Sequence, residues 1–169
     1  MTSLDDFATA VRSFCSWAEN PASNATARSE MLAARRHLSL LYSMAVDFPD
    51  FECDWVEGDP TDAEWADMFK RFGRLPVGYY GSVLDPLQVP AGEAALGDLG
   101  DDLADTWRDV KAGLNIFEAG YRDAAGWHWR DSFTIHWGEH AAGAVAVIHF
   151  WLAHQRCQDR SQMPALTPF

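Results

Sequence analysis

Basic residues are scarce in this chain. Lys and Arg number 13 against 25 Asp and Glu, a formal net charge of −12. Nucleic acid and anionic membrane surfaces are held by Lys/Arg patches, so this balance argues against both as partners. It suits a basic protein partner drawn in by electrostatic steering, and it suits plain solubility equally well. Cysteine is sparse too. Cys15, Cys53 and Cys157 are widely spaced and form no C-x-x-C pair, which excludes a zinc knuckle or a disulfide framework. Reduced thiols in a cytoplasmic setting fit this usage. Long apolar runs are missing. The longest, Ala141 to Ala153, has 13 residues and includes His149, whereas a membrane span needs about 20. The opening Met1-Thr2-Ser3-Leu4-Asp5-Asp6 lacks the basic and apolar regions of a signal peptide. No P-loop, G-x-G-x-x-G or G-x-S-x-G motif occurs, so neither a nucleotide site nor a serine-nucleophile elbow is expected.

What is present is a globular, helix-rich pattern. The 169 residues and 48% apolar content fit one domain over residues 1–169, with a core from about 4 to 156. Eight tryptophans and ten phenylalanines are many for this length. Such rings fill a large core or line a cleft, and the core is the favoured reading. Periodicity predicts an all-α bundle of about five helices. Ser3 caps the first, which carries Leu4, Phe7, Val11, Phe14 and Ala18 at helical spacing. The second opens at Ser23 or Thr26 and runs to Phe48-Pro49, with Arg28, Arg35 and Arg36 on a basic exposed face. Thr61-Asp62-Ala63-Glu64 is a capping box that opens the third, and Gly73 closes it. Residues 75–97 carry four glycines and three prolines and read as a long irregular connection with an extended stretch at Pro76–Tyr80. The fourth helix spans roughly 98–119. The fifth runs from about Trp127 to Arg156 and is apolar on most sides, so a central position is expected. Beyond Gln158 the tail is expected to fray.

Acid is concentrated. Asp47, Asp50, Glu52, Asp54, Glu57, Asp59, Asp62, Glu64 and Asp67 fall in 21 residues without one Lys or Arg. The spacing does not match a calcium loop, and a solvated segment is the plainer reading.

The chemistry-bearing stretch is Trp127 to Ala141, with three tryptophans and three histidines in fifteen residues. His136 and His140 are four apart and share a helix face with Trp129, Phe133 and Trp137. A histidine there is hydrogen-bonded in the core, ligated to metal, or set in a wet pocket. His136-Trp137-Gly138-Glu139-His140 also fits the H-x-x-E-H pattern of the inverzincins, with Glu139 as the water-activating base. Only 29 residues follow His140, which is too few for the downstream third ligand of that class. A site between bundle helices is the better form of the idea. Asp102 and Asp105 on the fourth helix would face His136 and His140 on the fifth and complete a zinc or iron site. Against this, the aspartates Asp98, Asp101 and Asp102 suit a helix N-terminus, and Arg108, Arg122 and Arg130 are available as ion-pair partners.

The clusters Leu75–Tyr80, Asp85-Pro86-Leu87, Gly97–Asp105, Trp127–Arg130 and His136–His140 occur together and in this order. In these the chain resembles a bacterial family, domain of unknown function 5063, over about residues 30–155. It departs at Gly100 and His128, where a small or polar residue and a glutamate are expected. The resemblance implies a small, mostly helical, single-domain cytoplasmic protein and no particular reaction. It also implies recurrent polar positions at Asp102, Asp105, Trp129, Arg130, His136 and His140.

Two functions are expected from these observations. The first is a non-enzymatic protein-binding domain, immunity- or antitoxin-like, with no cofactor and an acidic, aromatic-rich surface. Its binding residues would be Asp102, Asp105, Trp129, Arg130, His136, Trp137 and His140. The second is a metal-dependent hydrolase or oxidase that uses His136, His140, Asp102 and Asp105 as ligands.

Overall fold

Four N-caps set where the helices begin. In the computed structural model, which describes residues 3–51, 55–83, 86–90 and 92–161, the Ser3 hydroxyl accepts from the Asp6 N–H and opens α1, Leu4–Glu19. Thr26 and Ser29 exchange side-chain and backbone bonds at the start of α2, Ala27–Ala45. Thr61 and Glu64 do the same for α3, Asp62–Phe72. Asp98 accepts from the Gly100 N–H and opens α4, Leu99–Glu118. Each cap satisfies helix N–H groups that have no partner inside the helix.

The chain then turns at Gly120, φ +96°, into α5, Arg122–Ser132. A five-residue π-turn, Phe133–Trp137, links α5 directly to α6, Gly138–Ser161. The expected fifth helix is therefore longer at both ends and re-wound in its middle. Gly126 lies inside α5. A Cβ there would stand 2.7 Å from the Phe51 ring, so glycine is needed for packing and not for a turn.

The connection at 75–97 is not wholly irregular. Tyr79–Ser82 (β1) pairs antiparallel with Ala95–Asp98 (β2), in the register Tyr79↔Asp98 and Tyr80↔Gly97. The Tyr80 ring lies over Gly97, where a Cβ would come within 2.5 Å of it. The all-α reading otherwise stands, with this two-stranded ribbon as the one sheet among the described residues. The described part of the tail is helical to Ser161, and the expected fraying beyond it lies outside the described residues.

One apolar cluster runs from Phe7 in α1 to Leu152 in α6. The central rod is α4, not α6. In α4 Leu99, Leu103, Trp107, Val110, Leu114 and Ile116 are all buried. In α6 a single stripe of Ala141, Ala144, Ile148 and Leu152 is buried, while Phe150 is exposed. Alanines and glycines widen that helix's apolar surface in sequence without requiring burial, which is why it reads as a core helix. No helix among the described residues is long and apolar enough to cross a membrane. Cys15 is buried, and burial pushes its thiol up to about 12, so it is unreactive. Cys53 lies outside the described residues.

Gly113 of α4 meets the indole of Trp129. A Cβ at Gly113 would lie 2.2 Å from Trp129 Nε1, which donates to the Val110 carbonyl at 2.9 Å. Gly113→Ala should therefore destabilise the fold by about 1–3 kcal/mol, the cost of overpacking. Urea denaturation checks this, and a neutral variant would show that the α4–α5 contact yields easily.

Candidate metal centre

The site is built by three elements. The central helix α4 carries Asp102, Asp105 and Asp109 at positions i, i+3 and i+7, hence on one face. The π-turn and the first turn of α6 carry His136 and His140 against that face. The β1–β2 ribbon brings Tyr80 over the end of it.

Gly138 makes the π-turn possible. Its N–H bonds the Phe133 carbonyl five residues back, and a Cβ at 138 would sit 2.4 Å from that same oxygen. Such insertions recur at functional sites because they re-aim side chains without ending the helix. Gly143 serves the ribbon, since a Cβ there would lie 2.8 Å from the Tyr80 hydroxyl.

Each histidine is held from behind by a carboxylate. His136 Nδ1 lies 2.7 Å from Asp109 Oδ2, and His140 Nδ1 lies 2.9 Å from Asp102 Oδ1. An ionised carboxylate only accepts, so each Nδ1 donates to its aspartate, and in the neutral imidazole Nε2 then presents its lone pair. Asp102 is fixed in turn, because the Tyr80 hydroxyl donates to its other oxygen at 2.6 Å.

Both Nε2 atoms face Asp105. Its Oδ2 lies 3.8 Å from His136 Nε2 and 3.8 Å from His140 Nε2. Its Oδ1 is occupied elsewhere, accepting from Trp65 Nε1 at 2.8 Å and pairing with Arg108 at 3.1 Å. The ligand atoms of Asp105, His136 and His140 all lie within 4.8 Å of one another. A distance of 3.8 Å is too long for a hydrogen bond. It is close to the separation of about 3.3 Å between two ligands of a tetrahedral zinc. Three lone-pair atoms converging without a donor repel one another unless a proton or a cation lies between them.

The electrostatics favour a positive charge at the cluster, proton or cation. The Asp102 hydrogen bond, opposed by partial burial, holds His140 above the usual histidine range. Burial raises the Asp109 carboxyl, and its bond to His136 pulls the other way. Burial, with Asp105 next, also raises Asp101 beside the cluster. Burial first and the Asp102 bond second push Tyr80 up, which keeps its hydroxyl a donor. The Asp102 and Asp105 side chains are 9% and 12% exposed, whereas those of His136 and His140 are 36% and 24% exposed. The cluster is anchored in the protein and open on the histidine side.

The expected site residues separate into two groups. His136, His140 and Asp105 converge. Asp102, expected as a ligand, stands behind His140 instead, because Tyr80 and His140 occupy its two oxygens. Trp129 and Trp137 are wholly buried in the aromatic core against Phe7 and do not face the cluster. Arg130 bonds Thr134 and approaches Asp50, on a different face. Glu139, expected as a base, is exposed and is not one of the three converging residues. Of the arginines expected to pair with the aspartates, Arg108 does so and Arg122 pairs with Asp5. Asp109, Tyr80 and Trp65 had no assigned role. Asp109 belongs to the same stripe of the fourth helix as Asp98, Asp102 and Asp105 in the sequence, without a role assigned by that spacing.

The supporting carboxylates give a graded test. Orienting partners of metal-bound histidines typically contribute 10–100-fold in metal affinity. Asp109→Asn should weaken metal binding by about that factor through His136. Tyr80→Phe should do less, since it acts through Asp102. Competition with a chromogenic chelator measures both, and unchanged affinity in Asp109→Asn would remove Asp109 from the site.

Comparison with known proteins gives fold and family. A chain with 18% identity, protein BF1032 from Bacteroides fragilis, has a crystal structure that superposes with a TM-score of 0.69, covering 96% of this chain and 94% of that one. At this identity the likeness concerns the fold alone. No curated protein matches. The model of the family described as domain of unknown function (DUF5063) matches residues 2–154, and with that match over nearly the whole length the chain belongs to this family.

Proposed function

We propose that the protein is a metal-dependent enzyme whose centre is His136, His140 and Asp105. The observation that carries this reading is the convergence of three lone-pair atoms, each oriented from behind. Asp109 and Asp102 fix the two imidazole tautomers, and Trp65 with Arg108 fixes the carboxylate. Paired orientation of this kind is what metal ligands need and what a merely satisfied core histidine does not.

Two imidazoles and one carboxylate suit zinc or iron(II), and three protein ligands leave coordination positions open. Zinc there lowers the pKa of bound water and supports hydrolysis. Iron(II) with this ligand set supports oxidation by dioxygen. The partly exposed histidine side is where water and substrate would enter. A cytoplasmic setting goes with this reading, on the strength of the unpaired, buried Cys15 thiol.

The protein-binding expectation rests on the exposed acids Asp47, Asp50, Glu57, Asp59, Asp62, Glu64 and Asp67. These are dispersed along a surface segment and do not converge on a point, so the geometry favours the metal centre.

The test is calorimetric titration of chelator-stripped protein with Zn²⁺ in air and Fe²⁺ under nitrogen. One tight site for either metal is expected, with the tighter metal naming the reaction class. Absence of saturable binding for both would overturn the proposal.

A further inference from the structure

We infer a second binding site, separate from the metal centre, in a basic cleft between α2 and α6 that takes a small multivalent oxyanion. Arg28 and Arg35 are seven residues apart on α2, two turns along one face. His149 and Arg156 have the same spacing on α6. The four side chains edge a cavity of about 220 Å³ whose remaining lining is Leu32, Leu152 and Ala153. Among the described residues no carboxylate lines it.

That absence is notable in a protein where acids outnumber bases 25 to 13. Arg12, Arg71, Arg108, Arg122 and Arg130 each pair with an aspartate or glutamate. Among the described residues Arg28, Arg35, Arg36, Arg74 and Arg156 have no side-chain ion pair or hydrogen bond, and three of these five line this one cleft. Like charges brought together repel, and a shared counter-ion relieves the repulsion. Guanidinium forks bind phosphate and carboxylate oxygens in pairs, and Leu32 and Leu152 give the cleft an apolar base.

The size of the cleft sets the size of the ligand. It is smaller than the roughly 300–1,000 Å³ usual for drug-sized ligands. A nucleic acid is disfavoured by the overall charge of −12, which acts along an extended polyanion more than on a compact one. The ligand class is therefore a compact anion with two or more negative charges, of phosphoryl or tricarboxylate type.

The experiment titrates metal-free wild-type protein with sodium pyrophosphate and, separately, sodium citrate, at constant ionic strength. Metal is removed first because both probes chelate it. Saturable binding of either probe is expected, and the tighter one distinguishes a phosphate from a carboxylate source. Binding should weaken at least about tenfold in Arg35→Ala/Arg156→Ala, as fits the loss of bidentate charge-assisted contacts. It should be unchanged in Arg36→Ala, an exposed arginine outside the cleft. No saturable binding of either probe, or equal weakening in Arg36→Ala, would overturn the inference.

Discussion

Replacing His136 and His140 together with alanine should abolish tight metal binding and leave the protein folded. The two imidazoles supply two of three ligands, and neither side chain is part of the apolar core. Losing orienting groups alone typically costs 10–100-fold in affinity, so losing two ligands should cost well over about 100-fold. Stability should fall by a smaller amount. Asp102 and Asp109 each lose a hydrogen-bond partner, at about 1–3 kcal/mol per unsatisfied group. Asp102 keeps Tyr80 and stays near the lower figure. Circular dichroism should show native helix content, and competition with a chromogenic chelator should show no tight site. A folded double variant that still holds metal would move the site elsewhere. Asp105→Ala separates ligation from support, because it leaves both histidines and their aspartates in place. It too should lose tight binding.

Trp129→Ala should do the reverse. Its indole is wholly buried, meets Phe7 edge-on at a centroid distance of 5.0 Å, and donates to the Val110 carbonyl. Truncating a buried tryptophan typically costs about 3–5 kcal/mol. In a chain of this size that lowers the melting temperature by about 6–20 °C. Below the transition, metal stoichiometry should match wild type, because Trp129 does not reach the cluster. A variant with wild-type stability and lost metal would return Trp129 to the site. The two substitutions together decide whether the dense Trp127–Ala141 stretch is one functional unit or a core segment interleaved with a site.

The structure supports the interleaved reading, and this shows what the sequence could and could not convey. Caps are local, so Ser3 and Thr61 mark their helices correctly and Thr26 is the true one of the Ser23/Thr26 pair, while Asp98, read only as an acid suiting a helix N-terminus, caps α4. The ribbon was hidden because Tyr79–Ser82 and Ala95–Asp98 are short and Gly-containing, and their pairing spans a long loop. The π-turn was hidden because one inserted residue leaves the apolar spacing almost unchanged, and only Gly138 hints at it. His136, His140 and Asp105 could be proposed from spacing on two facing helices. The division of labour between Asp102 and Asp105 could not, because it depends on where Tyr80, Trp65 and Arg108 arrive from other elements. Trp129, Trp137 and Arg130 joined the expected site through proximity in sequence. On a helix, residues one or two positions apart point to different faces, so Trp137 lies in the core beside His136 in the cluster.

The most direct measurement of the central claim is elemental analysis of the protein purified without chelator or affinity nickel, wild type beside His136→Ala/His140→Ala. The metal-centre account predicts near-stoichiometric zinc or iron in the wild type and background levels in the variant. Equal metal content in both, at any level, would contradict it.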